Sequence, residues 1–169
     1  MSFISIKREP ENLEYTLMHG RKFIGVDGDA GAGKSWIARE IRQNLDADVL
    51  SLDDILLAGD GDYATRIEST ALRSVLEAPR HRTLVIEGVL LLDVLDRINA
   101  RPDLLVFAKR VEEGKWKYAD YLPPSAKLPR HRLTREIAEY YRKRKPFAHA
   151  DLLITLFLSF QRDGVTDEG

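Results

Sequence analysis

The sequence predicts an α/β fold, a three-layer αβα sandwich on a parallel five-stranded sheet, and three observations predict it. Short apolar runs end at glycine or acidic residues, stretches with helical spacing of apolar residues follow them, and the two patterns alternate along most of the chain. With 169 residues and 44 % apolar side chains, the chain has the size of one domain with a single sizeable core.

Lys22 to Asp27 (KFIGVD) reads as a buried strand feeding a glycine-rich loop. After Lys34 the period changes: Ile37, Ala38, Ile41 and Leu45 share one helical face, and Arg39, Glu40 and Arg42 surround it. Val49 to Leu52 is a second strand, and Ile67, Ala71, Leu72, Val75 and Leu76 mark a helix that ends near Pro79. Thr83 to Ile86 is a third strand, Val89 to Ile98 a helix, and Leu104 to Ala108 a fourth strand. Leu133, Ile137, Tyr140 and Tyr141 stripe a helix that Pro146 stops, and Leu152 to Leu158 is the fifth strand.

Two regions break the rhythm. Residues 1–20 suit a strand and a short helix packed on an edge, forming an N-terminal extension to a body over residues 21–160. Val111 to Pro129 carries Gly114, Pro123, Pro124 and Pro129 and is too long for an ordinary connection, so a lid is expected at about residues 109–135. Residues 161–169 read as a polar, frayed tail.

The formal net charge of −1 gives no global reason to expect nucleic acid or an anionic membrane as partner. The charge is unevenly placed, because Lys109 to His149 holds twelve Lys or Arg against five acids. Without cysteine there is no disulfide framework, thiolate metal site or thiol nucleophile, and a reducing cytoplasm is the expected compartment. No long apolar run opens the sequence, and Leu152 to Phe160 is too short to span a bilayer, so no membrane partner is expected. Whether copies of the chain associate stays open.

Gly28-Asp29-Ala30-Gly31-Ala32-Gly33-Lys34-Ser35 matches G-x-x-x-x-G-K-[ST] and lies between a predicted strand and a predicted helix, which is the context this phosphate-cradling loop requires. Glycines let backbone N–H groups turn inward, the helix start adds positive potential, Lys34 meets the β- and γ-phosphates, and Ser35 can hold Mg²⁺. ATP with Mg²⁺ is the expected cofactor pair, and the fold expected is that of the P-loop NTPases. Trp36, directly after the loop, can stack on the base or pack in the core.

Leu84-Val85-Ile86-Glu87-Gly88 is a strand ending in an acid, suited to hold a water of the Mg²⁺ shell or to cap the next helix. Ser51-Leu52-Asp53-Asp54 puts two acids at the carboxyl edge of the second strand, where ligands collect in open α/β sheets. Asp53 is the candidate base that orients and deprotonates a hydroxyl acceptor; the pair also suits the start of a helix, and Asp54 shares the role on sequence alone.

The ordered set FIGVDGDAGAGKS, VLSLDDILL, TLVIEGVLLLD and YYRKRKPFAHADLLI resembles the uridine kinase and nicotinamide riboside kinase group of P-loop kinases, from about Lys22 to Ile154. The resemblance implies Asp53 as catalytic base that also helps with the metal, Glu87 as the strand-end acid, and an arginine-bearing lid closing over ATP. The basic segment supplies Lys109, Arg110, Arg130, Arg132 and Arg135 for that clamp, with Arg130 and Arg132 taken as catalytic beside Lys34. Only about thirty residues separate the Asp-Asp pair from the Glu87 strand, short for a uridine kinase with its full nucleoside-binding insertion. Tyr63 and Arg66 suit contact with substrate or packing.

The expected function is therefore transfer of the γ-phosphoryl group of ATP to a hydroxyl of a nucleoside, riboside or related metabolite. A nucleotide-binding regulator or assembly factor with little turnover is the alternative. No Asn-Lys-x-Asp segment for reading guanine occurs. The Arg142 to Lys145 run reads as a solvated helix end, and the four histidines have no metal-ligand spacing.

Overall fold

The computed structural model describes residues 3–6 and 15–158. In chain order the elements are β1 (Phe3–Ile6), α1 (Tyr15–Met18), β2 (Phe23–Gly28), α2 (Lys34–Leu45), β3 (Asp48–Ser51), α3 (Tyr63–Arg66), α4 (Ser69–Glu77) and β4 (Leu84–Glu87). They continue as α5 (Leu91–Asp96), β5 (Leu104–Glu112), β6 (Lys115–Trp116), α6 (Arg132–Arg144), α7 (Pro146–His149) and β7 (Leu152–Leu158). One-turn 3₁₀ helices cover Leu52–Ile55 and Ala119–Tyr121. Residues 161–169, expected as a tail, lie outside the described residues.

The strands form one sheet in the order β1-β7-β5-β2-β4-β3, all parallel, with β6 pairing antiparallel to β5. The expectation of a purely parallel five-stranded sheet is thus corrected to a mixed sheet of seven strands. β1 adds in register to β7, Phe3 opposite Leu153. β6 arises because Glu113 and Gly114 take φ of +50° and +78°, the positive pair that a two-residue hairpin turn demands. Charged residues in that stretch hide the alternation, so periodicity missed the hairpin.

Each central strand is buried on both faces, which explains why it reads as a continuous apolar run. Ile24, Val26, Val85, Val106 and Ile154 pack with Ile37, Ala38 and Ile41 of α2 and with Met18 of α1 on one face. Phe23, Ile86, Leu105, Phe107 and Leu153 pack on the other with Leu72, Leu91, Val94, Ile137, Tyr140 and Tyr141 of the remaining helices. Neighbouring residues of one strand therefore serve opposite layers.

Local differences have local causes. The helix expected from Ile67 begins at Ser69, because Ile67 forms a β-bridge with Leu56 instead. The helix expected over Val89 to Ile98 shortens to α5, since Leu90 sits at φ +55°. Pro146 does not simply stop a helix: Lys145 turns left-handed and Pro146 opens α7 at its first position. The expected lid is docked rather than free, with Trp116 and Tyr118 buried and Trp116 edge-on to Phe147 at 5.1 Å between ring centroids. Among the described residues no helix is long and apolar enough to cross a membrane.

Candidate functional site

β2 runs between β4 and β5, and its connection leads to one side of the sheet while the chain later returns to the other. The loop after β2 therefore sits at the carboxyl edge where the strand order changes direction, the place where open α/β sheets collect ligands. Its backbone is held very close to β5. A side chain on Gly28, at φ +146°, would stand 2.1 Å from the Ala108 carbonyl oxygen, and the Asp29 N–H donates to that oxygen at 3.0 Å.

Two buried carboxylates bracket this turn. Asp27 accepts from the N–H of Gly28 at 2.8 Å and of Leu91 at 3.5 Å, and from the Tyr140 hydroxyl. Asp29 accepts from the Tyr141 hydroxyl at 2.7 Å, and from the Arg110 N–H and the Trp116 indole N–H at 2.8 Å each. Burial raises both carboxyls, Asp27 to about 6, against the pull of these donors and of Lys34. Consecutive tyrosines of α6, more than a hundred residues away in the chain, thus hold the first and third residues of Asp27-Gly28-Asp29.

Gly33 caps α2 at φ +75°, and Lys34 and Ser35 form the first turn. The Lys34 ammonium, nearly buried, donates to the Asp29 carbonyl at 2.8 Å. Burial pushes it down, while Glu87, Asp27, Asp29 and Asp53 hold it up. The Ser35 hydroxyl donates to Glu87 Oε1 at 2.9 Å, and Glu87, at the end of β4, is itself buried. Across the opening, the Tyr63 hydroxyl donates to Asp53 Oδ1 at 2.6 Å; burial first, then this bond, pushes the phenol up.

Ala30, Gly31, Gly33, Lys34, Ser35, Asp53 and Glu87 line one cavity of about 440 Å³ together with Gly88, Tyr63, Val89 and Leu133. Among the described residues no three His, Cys, Asp or Glu side chains converge on a metal position. A hydroxyl backed by one carboxylate, with a second carboxylate on the facing wall, is nevertheless a donor set that suits Mg²⁺ held mainly by phosphates and water.

Other expected site residues stand elsewhere. Gly28, Asp29 and Ala32 shape the turn from behind, and none of them lines the cavity. Trp36 packs, half-buried, with Tyr15 and Leu45 against the α2 layer. Arg132 pairs with Asp62 at 2.9 Å and Glu136 at 3.1 Å, and neither it nor the exposed Arg130 lines the cavity. Arg110 of β5 stands nearer: a side chain on Gly31 would meet its Nη1 at 2.5 Å, and its Nε is buried without a partner. Its Nη2 pairs with Glu112 at 2.5 Å.

Sequence reasoning missed Asp27, the inward role of Asp29, Tyr140 and Tyr141. The one signal was the adjacent tyrosines in an apolar stripe, since two buried hydroxyls on neighbouring helix positions require two buried partners. No family model and no curated protein matches the chain.

Proposed function

We propose that the chain is an ATP- and Mg²⁺-dependent kinase with the P-loop NTPase fold, acting on a hydroxyl of a nucleoside, riboside or related small metabolite in the cytoplasm. One observation carries the reading: a G-x-x-x-x-G-K-S turn at a strand's carboxyl end, ending in Ser35, shares one cavity with Glu87 and Asp53.

The loop amides and the start of α2 receive the phosphates. Lys34 leaves the Asp29 carbonyl and turns to the β- and γ-phosphates, exchanging one acceptor for charged ones. Mg²⁺ held near Ser35 and Glu87 would neutralise charge between the β- and γ-phosphates. Asp53 releases Tyr63 and accepts the acceptor's hydroxyl proton as the acceptor oxygen bonds the γ-phosphorus and the bond to the β-phosphate oxygen breaks, leaving ADP. Arg110, beside Gly31, is a cation of the basic segment placed to meet the phosphates. Tyr63, Val89 and Leu133 give the acceptor a compact, largely apolar wall.

Titration with ATP and Mg²⁺, together with ADP release over a panel of ribosides and polyols, tests this. Lys34→Ala is expected to lose at least tenfold in affinity, and Asp53→Asn to bind ATP while turnover drops roughly 10²- to 10⁴-fold. Binding by Lys34→Ala equal to the parent's overturns the phosphate site; undiminished turnover by Asp53→Asn removes Asp53 as base. The Tyr63 hydroxyl resting on Asp53 favours a second reading, a nucleotide-binding regulator. Tight ATP binding with no turnover on any acceptor selects it.

A further inference from the structure

The opposite edge of the sheet holds a second and larger cavity, about 620 Å³ against about 440 Å³. Three connections meet there, each running into the amino end of a parallel strand: residues 20–22 before β2, 78–83 before β4 and 100–103 before β5. With six residues in β2, the cavity lies roughly 20 Å from the glycine-rich loop. It is a separate place.

Its charge is one-sided. Arg21, Lys22, Arg80, Arg82 and Arg101 line it, and the sole acid on the lining is Asp103. Its Oδ2 accepts the backbone N–H groups of Lys22 and Phe23 at 2.9 Å each, which fixes the carboxylate in place, so five cations stand against one negative charge on the lining. Arg82 pairs with the exposed Asp46 at 3.2 Å, and Arg21 donates to the carbonyls of Leu17 and Asp103 at 3.2 and 3.4 Å. Among the described residues no carboxylate lies within ion-pair distance of Lys22, Arg80 or Arg101. In a chain of net charge −1, five cationic side chains around one concavity repel each other, and a concave wall concentrates their field.

The lining selects the kind of anion. The cations come from three separate connections, with Leu76, Ala78 and Ala100 beside them, so they converge on one cavity rather than follow one stretch of chain. Phe23, whose ring is buried, offers no face for stacking bases, which a groove for single-stranded nucleic acid uses repeatedly. We infer that this cavity binds a small anion carrying two or more phosphoryl groups, with Arg80 and Arg101 as principal contacts. The inference stands whether or not the glycine-rich loop holds ATP.

Inorganic tripolyphosphate without Mg²⁺, titrated calorimetrically into the Lys34→Ala protein, tests it apart from the loop. One site is expected, weakened by salt, at least tenfold tighter than inorganic phosphate alone. Adding Arg80→Ala and Arg101→Ala should weaken it at least tenfold with an unchanged circular dichroism spectrum, whereas Arg80→Lys with Arg101→Lys should retain most of it. No binding to the Lys34→Ala protein, indifference to the double alanine change, or equal affinity for inorganic phosphate each overturns the assignment. A single-stranded oligonucleotide that binds more tightly than tripolyphosphate overturns it too.

Discussion

The two walls of the 440 Å³ cavity are built in opposite ways. Behind the loop wall the entry to the turn is fastened at three successive residues: Gly28 against β5, Asp27 to Tyr140, Asp29 to Tyr141, Trp116 and the Arg110 amide. On the facing wall, Asp53 lies exposed on a single 3₁₀ turn and holds one side-chain partner, Tyr63, from a four-residue helix. The first wall is therefore fixed by the fold itself, which under the proposed function is what a cradle of backbone donors requires. The second is held by a single bond, which under the proposed function lets Asp53 exchange the Tyr63 hydroxyl for that of an acceptor.

The hardest test of the fastened wall is Asp29→Ala. It strands the Tyr141 hydroxyl, the Trp116 indole N–H and the Arg110 amide without an acceptor, and a loss of about 3 kcal/mol or more in unfolding free energy is expected. Denaturant unfolding measures it, and a loss below about 1 kcal/mol would mean that the turn is not held through Asp29.

Asp27→Asn gives a smaller effect that depends on pH. Because the fold raises the Asp27 carboxyl from 3.8 to about 6, its favourable contribution is complete below the ordinary value and disappears as pH rises through about 6. Asparagine has no such loss. The variant should therefore gain on the parent between about pH 4 and about pH 7, by up to about 3 kcal/mol. Melting curves across that range check the sign; a gain on acidification instead would show the carboxyl is not protonated first by the fold.

On the releasing wall, Tyr63→Phe should change stability by no more than about 1 kcal/mol, since it removes one hydrogen bond at a partly open site. Acceptor-independent ATP hydrolysis should rise several-fold, because Asp53 Oδ1 then has no tyrosine hydroxyl on it and can accept from a water in the cavity instead. A fall in hydrolysis would make Tyr63 a participant rather than an occupant. The smallest effect is expected for Arg132→Ala, whose side chain is exposed and held by Asp62 and Glu136. The melting temperature should not move and turnover should change by less than about threefold; a tenfold loss would show that Arg132 leaves its carboxylates to reach the phosphates.

What the sequence determined by itself is what lies within one turn or one strand. The period change after Lys34, the apolar runs of the buried strands and the G-x-x-x-x-G-K-S spacing are local patterns, and they located the strand-loop-helix and the two acidic strand ends correctly in the chain. Contacts between distant segments follow a different rule. No local pattern says that Tyr140 and Tyr141 reach Asp27 and Asp29, that Trp36 turns into the α2 layer, or that Arg132 meets Asp62. The reason is physical: a buried polar group takes whichever partner the packing of layers brings to it, and that packing is a property of the whole sheet with its helices, not of any window of sequence.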